Sequence, residues 1–236
     1  MGGTATIEYS TDLSDRPKWL LAFIAPAALI AIPIGLIAHW AADLSELVGL
    51  IVGAVAGPLP IYVLLRWWFD HHLWNKAPLG VRLTGLPDLN GAWEGHMTID
   101  PDKTRAEELH ILAGGDKLPC FATIEQSWTR ISVTFETPFT SSLLTMAAVN
   151  NMNSPGRAGF HYEYLVIPRA RSELARQNIG QHTGTAHLGW DADRPDVSRL
   201  TGLYYNGPAF LRYGELLLTR VDDKTASDWR TELGIT

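Results

Sequence analysis

Two long apolar runs lie near the start of the chain, and a region of alternating apolar and polar residues follows them. The first run extends from Trp19 to Ala42 and the second from Leu47 to Leu65, and neither contains Lys, Arg, Asp or Glu. A helix of about 20 apolar residues crosses a hydrocarbon core of roughly 30 Å. The pattern therefore predicts a membrane α-helical hairpin, with transmembrane helices at 19–42 and 47–69.

The charged residues around this hairpin predict its orientation. Basic residues precede the first run and follow the second, whereas the turn between the runs is acidic; they are Arg16, Lys18, Arg66, Lys76 and Arg82, against Asp43 and Glu46. The positive-inside rule places both termini and the following domain in the cytoplasm of a multi-pass membrane protein. Two buried helices of a soluble bundle are the alternative, but polar residues at helical spacing would be expected in them.

Small residues recur at every fourth position within both apolar runs. They are Ala27, Ala31 and Gly35 in the first run and Gly49, Gly53 and Gly57 in the second. A helix face without large side chains lets two backbones approach closely in lipid. The pattern predicts a helix-association face, and it leaves open whether the contact lies within one hairpin or between two copies of the chain.

From residue 89 onward, apolar and polar residues alternate with a period of two between turns rich in Gly, Pro, Asn and Asp. In one such run, Ile131, Val133 and Phe135 alternate with Ser132 and Thr134. Each run therefore has one buried and one wet face. Nine runs fit this description: 91–99, 107–113, 119–128, 130–137, 141–150, 159–167, 183–190, 198–205 and 213–221.

The number of these runs and the absence of long helices between them indicate the fold. Eight or nine closely spaced strands predict an all-β domain, a small antiparallel up-and-down β-barrel at 89–222. The remaining parts are an N-terminal segment at 1–18, a connector at 70–88 and a C-terminal tail at 223–236. The long connection after residue 168 contains a short predicted helix at 172–177.

Composition excludes several function classes. The net charge of −6 argues against a DNA or RNA polymer as partner, because such binding needs a broad basic surface. The single cysteine, Cys120, excludes a disulfide framework and a thiolate metal cluster, and it agrees with a reducing compartment. We expect neither a metal site nor an enzyme, because the histidines and glutamates lack the spacing of a metal or acid–base motif; they are Glu94, His161, Glu163, His182 and His187.

Seven short motifs occur in one order along the strands and connections. They are PDLNGAWEG at 87–95, IEQSW at 124–128, FTSS at 139–142, YEY at 162–164, HTGTAHL at 182–188, LTGLYY at 200–205 and GELLLTR at 214–220. With the two preceding apolar runs, this order resembles the SMODS-associating two-transmembrane β-strand-rich effectors of bacterial CBASS anti-phage systems. The resemblance covers the chain from about Trp19 to Arg220.

The resemblance implies a function that periodicity alone does not give. In such an effector the β-barrel binds a cyclic dinucleotide, made by a partner cyclic-nucleotide synthase, as its activating ligand and without a further cofactor. The protein then forms homo-oligomers, and its transmembrane helices disrupt the lipid bilayer of the bacterial inner membrane, which causes abortive infection.

Residues that suit a cyclic dinucleotide gather near three of the predicted connections. Aromatic rings stack on bases, arginines bind phosphate, and hydroxyl or amide groups bind the base edges. We expect these connections to share the barrel end where the first strand begins. The predicted ligand-binding residues are Thr140, Ser141, Ser142, Tyr164, Arg169, Arg171, His182, Tyr205, Asn206 and Arg212.

Several roles stay open from the sequence. Tyr164 suits interior packing as well as ligand contact, and Trp93 suits a packing plug at the barrel base better than base stacking. The opposite barrel end is the second choice for the site; it carries Trp128, Arg130, Asn151 and Arg157. Two other functions are a membrane-anchored, lipocalin-like carrier of a small apolar ligand, which needs a wide aliphatic interior, and a structural membrane-assembly subunit.

Overall fold

The chain folds into two units. A computed structural model describes residues 6–11, 21–42, 58–76, 85–99, 117–150, 159–169, 180–190, 197–207 and 212–232. The barrel unit comprises Met1–Asp12 and Gly85–Thr236, and the helical unit comprises Leu13–Thr84. The predicted strand at 107–113 and the predicted helix at 172–177 lie outside the described residues.

The helical unit contains two α-helices, α1 (Ile24–Ala42) and α2 (Pro58–Trp68), and a π-helical turn at Phe69–Leu73 that follows α2. Within the described residues, no helix combines the length and apolar character required to cross a membrane. The predicted location, a multi-pass protein of the inner membrane with both termini and the barrel in the cytoplasm, is therefore wrong.

The described helices depart locally from a regular α-helix. The described part of α2 has 11 residues and ends at Trp68. It then passes into the π-helical turn, which includes the buried Asp70. In α1, Pro33 lies inside the helix. Much of the second predicted span, 43–57, lies outside the described residues.

The small-residue face of α1 is partly covered. Ala27 and Ala31 are buried, whereas a Cβ placed on Gly35 would meet no atom within 4 Å. The other three small residues of the predicted face, Gly49, Gly53 and Gly57, lie outside the described residues.

Eight antiparallel strands form the barrel, and each pairs with the next along the chain. They are β3 (Gly91–Ile99), β4 (Lys117–Gln126), β5 (Arg130–Glu136), β6 (Thr140–Val149), β7 (Gly159–Pro168), β8 (His182–Gly189), β9 (Arg199–Asn206) and β10 (Arg212–Val221). Pairing between β10 and β3 closes the barrel, with Leu217 opposite His96. The prediction of a small antiparallel up-and-down β-barrel is confirmed.

Large side chains fill the barrel interior. Trp93 is fully buried, its indole N–H donates to the carbonyl of Leu89 at 3.0 Å, and the Arg220 guanidinium lies 4.8 Å from its ring centroid. Phe160, Leu200 and other fully buried residues complete this core. The wide aliphatic interior that a carrier needs is absent from this part of the described barrel. Cys120 is buried and free, and burial raises the pKa of its thiol.

Two short strands and one helix complete the barrel unit. The strands β1 (Ile7–Glu8) and β2 (Ser10–Thr11) pair with β5 and β6, respectively. The helix α3 (Asp223–Glu232) covers the outer face of β4, where Trp229 stacks on Phe121 with ring centroids 5.1 Å apart. The alternation of apolar and polar residues did not predict these three elements.

Candidate functional site

The predicted ligand-binding residues gather mainly at one end of the barrel, which we call the mouth. The mouth consists of residues 136–142, 164–169, 180–184 and 206–207. Strand register brings these parts together, because Thr140 lies opposite Pro168 and Gly184 lies opposite Asn206. The three connections therefore share one end, as expected.

The mouth is nevertheless at the opposite end from the one expected. The mouth lies where β3 ends, because β10 pairs Gly214 with Ile99 and β9 pairs Asn206 with Arg212. The expectation that it lies where the first strand begins is wrong. In an alternating meander, the first and third strands run in the same direction, so the connection after the third strand lies at the carboxyl end of the first.

A buried polar pair forms the floor of the mouth. The Tyr164 hydroxyl donates to Asn206 Oδ1 at 2.7 Å, and both residues are buried. Gly184 makes room for this pair, since a Cβ there would lie 2.5 Å from Tyr164 Cζ and 2.6 Å from Asn206 Oδ1. On β6, Ser142 lies opposite Val166 and is also buried. The floor thus offers hydroxyl and amide groups fixed by hydrogen bonds rather than mobile side chains.

The turn between β5 and β6 forms one lip of the mouth. Thr137 Oγ1 accepts hydrogen bonds from the backbone N–H groups of Phe139 at 3.2 Å and Thr140 at 3.0 Å. The hydroxyls of Thr137 and Thr140 lie 2.8 Å apart and share a further hydrogen bond. A threonine side chain that binds the backbone two and three residues later defines a tight, well-ordered turn.

Arg169 holds this lip from the neighbouring strand. Its backbone N–H donates to the carbonyl of Phe139 at 2.9 Å, and its Nε donates to the carbonyl of Thr137 at 3.1 Å. Its Nη2 donates to Glu136 Oε1 at 3.0 Å. The side chains of Arg169 and Glu136 are 28% and 11% exposed. An anion that approaches Arg169 therefore competes with a carboxylate that is already in place.

The remaining predicted residues are spread over several positions. His182 lies at the lip opposite Val166, with Nδ1 3.3 Å from the carbonyl of Gly180. Ser141 and Tyr205 point to the outer face, where Tyr205 is 39% exposed. Arg212 pairs with Asn206 in the sheet, but only its backbone position is described. Arg171 lies outside the described residues.

Tyr205 borders a separate groove on the outer face of β7, β8 and β9, with a volume of about 490 Å³. Two histidines form part of its wall, and the rings of His161 and His187 stack with centroids 3.9 Å apart. Partial burial, and then the neighbouring His187, lower the pKa of His161 below its ordinary value. The groove lies on the outer face, whereas the Tyr164–Asn206 floor of the mouth is buried in the interior.

Sequence reasoning missed three residues of the mouth. Glu136 and Thr137 belong to a polar strand end that pairs with the predicted Ser141, and Gly184 provides the space for Tyr164. A signal for the first two was present, because a Glu-Thr-Pro-Phe-Thr turn between two strands is rich in side chains that bind backbone groups. Nothing in the sequence indicated that Gly184 lies beside Tyr164.

Comparison with known proteins identifies the family. The model of a domain described as Cap15, cyclic dinucleotide receptor domain, matches residues 84–220. This span is more than half of the chain and includes nearly the whole barrel. The chain belongs to the Cap15 cyclic dinucleotide receptor family. The chain is also 28% identical over 164 residues to CD-NTase-associated protein 15 of Yersinia aleksiciae, which covers 69% of this chain and 68% of the relative.

The two comparisons confirm the resemblance to the CBASS effector family. They also support a cyclic dinucleotide as the ligand and a functional link to a cyclic-nucleotide synthase. The family is one of receptors and not of known enzymes.

Proposed function

We propose that the mouth of the barrel binds a cyclic dinucleotide and that binding promotes self-association of the full chain in a CBASS response. The receptor family supports the class of ligand. One observation supports the location: Arg169 is fixed at the lip by Phe139, Thr137 and Glu136, at the same end of the barrel as the buried Tyr164–Asn206 pair.

The chemistry of the mouth suits this ligand. A cyclic dinucleotide carries two phosphates, and a guanidinium is the side chain that binds phosphate most strongly. Base edges need hydrogen-bonding groups, which Asn206, Ser142 and Thr140 supply at the floor and lip. The backbone N–H and Nε of Arg169 are already held by Phe139 and Thr137, so the side chain loses little freedom when its Nη atoms bind an anion.

Self-association is supported by the surface of the helical unit. Several large apolar side chains of α1 and α2 are exposed: Leu29 is 70%, Leu36 67%, Ile37 62%, Leu59 72% and Leu64 62% exposed. Monomeric proteins rarely expose large contiguous apolar patches unless these bind something. Gly35 adds an open backbone position on α1. A second copy of the chain is the partner that fits the proposal.

Calorimetric titration of the purified full chain with a panel of cyclic dinucleotides tests the binding site. A charge-assisted hydrogen bond contributes about 1.5–3 kcal/mol, so Arg169→Ala should weaken binding of the best ligand at least about tenfold. Arg199→Ala is the matched control, because Arg199 is exposed at the other end of the barrel. Equal effects of the two substitutions, or none from Arg169→Ala, would contradict the placement.

Sizing of the full chain by analytical ultracentrifugation tests self-association. Addition of the ligand found above should shift the wild type to larger species. Gly35→Leu should reduce this shift if the small-residue face takes part, and Ile37→Leu is the matched control because it keeps an exposed apolar side chain of similar volume. A ligand that binds without any change in size would rule out the second half of the proposal.

A further inference from the structure

The N-terminal segment 7–11 is built into the barrel wall. Ile7 and Glu8 lie antiparallel to β5, opposite Ile131 and Arg130. Only two residues later, Ser10 and Thr11 lie parallel to β6, opposite Ala148 and Val149. One short segment thus bridges two barrel strands that are neighbours in the chain.

The segment lies where the barrel is least well closed. Direct pairing between β5 and β6 is confined to the mouth end, where Thr134, Phe135 and Glu136 face Leu143, Ser142 and Ser141. Toward the other end, β5 and β6 pair with β1 and β2 instead. Backbone groups of a strand are costly when they are buried without hydrogen-bond partners. The segment supplies such partners along the boundary between β5 and β6, which we call the seam, where these two strands do not pair directly.

Tyr9 anchors the segment between its two strands. Its side chain is buried, and its hydroxyl lies 2.9 Å from the carbonyl of Trp128 and 3.2 Å from that of Ser127. The same hydroxyl accepts a hydrogen bond from Gln126 Nε2 at 3.4 Å, while Gln126 Oε1 accepts one from the N–H of Leu89 at 2.9 Å. A single tyrosine therefore ties the segment to the β4–β5 turn and to the chain that enters β3.

The mouth end of the same seam is held by Arg169. Glu136 is the last residue of β5 and pairs with Ser141 of β6, and its carboxylate is the partner of Arg169. A phosphate that takes Arg169 breaks the hydrogen bond between Arg169 Nη2 and this largely buried carboxylate, and that loss is unfavourable. We call the contact between Arg169 and Glu136 the clamp. Its loss therefore weakens the few residue pairs that join β5 directly to β6.

We infer that residues 7–11 are a latch that is released when an anionic ligand binds Arg169 at the mouth. The latch needs β5 and β6 to stay at a fixed separation, because it pairs with both strands. When the pairing between β5 and β6 weakens at the mouth, the two strands are no longer held at this separation at the other end, where residues 7–11 pair with them. The chain runs from Thr11 through residues 12–20 into α1, so the release acts on the polypeptide that leads into the helical unit. The inference rests on the proposed binding site.

Hydrogen exchange of the full chain without ligand provides a first test, which does not depend on the proposed function. Arg169→Ala removes the clamp, so the amides of residues 7–11 should exchange at least about tenfold faster than in the wild type. Arg199→Ala is the matched control, since Arg199 starts β9 on the far side of the barrel. Unchanged exchange of residues 7–11 in Arg169→Ala overturns the latch.

Binding of a cyclic dinucleotide to a latch variant provides the second test. Tyr9→Phe keeps the buried ring and removes the hydroxyl, which weakens the latch by about one hydrogen bond. Because coupling between two sites is reciprocal, a weaker latch should raise ligand affinity, by up to about fivefold. Ser10→Ala is the control, since Ser10 is exposed. Unchanged or lower affinity in Tyr9→Phe overturns the inference, as does unchanged exchange of residues 7–11 when ligand is added.

The two tests separate the latch from the proposed function. If the wild type binds no cyclic dinucleotide in the panel, the proposed function fails, and the first test still decides whether the seam connects Arg169 to residues 7–11. If the ligand binds and Arg169→Ala lowers its affinity but leaves exchange unchanged, the proposed site stands and the latch is wrong.

Discussion

The ion pair between Arg169 and Glu136 gives the most quantitative prediction. Its Nη2 and Oε1 atoms are 3.0 Å apart, and the two side chains are 28% and 11% exposed. Exposed ion pairs contribute about 0–1 kcal/mol, whereas removal of one partner from a fully buried pair costs about 3–5 kcal/mol. Since this pair is partly screened by solvent, we expect Arg169→Ala to lower the free energy of unfolding by about 2 kcal/mol.

A double-mutant cycle isolates the interaction between the two side chains. Glu136→Gln keeps a hydrogen-bond acceptor for Arg169 and removes the charge, so we expect a loss of about 1 kcal/mol. In the double variant the neutral amide leaves no stranded carboxylate, so it should be less destabilised than the sum of the single variants by at least about 1 kcal/mol. Urea unfolding of the full chain, followed by tryptophan fluorescence, measures the four free energies.

The same variants test whether the carboxylate competes with the ligand. If an incoming phosphate has to displace Glu136 from Arg169, Glu136→Gln should raise the affinity for the cyclic dinucleotide, while Arg169→Ala lowers it. A cycle with no coupling energy would refute the ion pair as a structural clamp. An affinity that falls in Glu136→Gln would show that Glu136 helps the ligand instead of competing with it.

Three further predictions concern the barrel itself. Trp93→Phe should lower stability by about 2 kcal/mol, because it leaves the buried carbonyl of Leu89 without its donor; urea unfolding measures this, with the exposed Trp67→Phe as control. Gly202→Ala should cost about 3 kcal/mol in the same assay, since its Cβ would lie 1.7 Å from the carbonyl oxygen of His187. The pKa of His161 is lowered in the folded barrel, so the unfolded chain binds more protons and stability should fall as the pH drops through about 6.5. Replacing His187 by Gln should reduce this dependence of the urea midpoint on pH.

The barrel was predictable because each strand carries its own signal. In β7, Phe160, Tyr162 and Tyr164 are buried, while His161 is exposed, as the alternation predicts. A period of two over seven to ten residues is long enough to detect. The strands of residues 7–11 have two residues each, so they leave no period to find. Their position depends on where β5 and β6 separate, which the alternation does not encode.

The apolar runs show the limit of arguing from length. The length of an uncharged run gives the number of residues that tolerate an apolar environment. It does not give the length of the straight helix that forms within the run. In the described chain α2 gives way to a π-helical turn at Phe69. A π-helical turn is a local backbone feature that hydropathy does not register.

The contact between Arg169 and Glu136 was not predictable for a different reason. These residues are 33 positions apart, and they meet only because β6 lies between the strand of one and the strand of the other. The sequence did show that three polar connections share a barrel end, since that follows from counting alternating strands. It did not show the register between neighbouring strands, and that register determines which side chains are in contact.

The uneven closure of the barrel offers a physical reason to expect the proposed site at the mouth. A closed barrel of eight strands has no free edge and resists deformation, so a small ligand changes its shape only where pairing is sparse. Among the described pairs, β5 and β6 share three opposed positions, whereas β3 and β10 share eight. A ligand that acts on Arg169 at the mouth acts on this weakest seam. The same phosphate contact on the β3–β10 side would meet a continuous ladder and leave the wall unchanged.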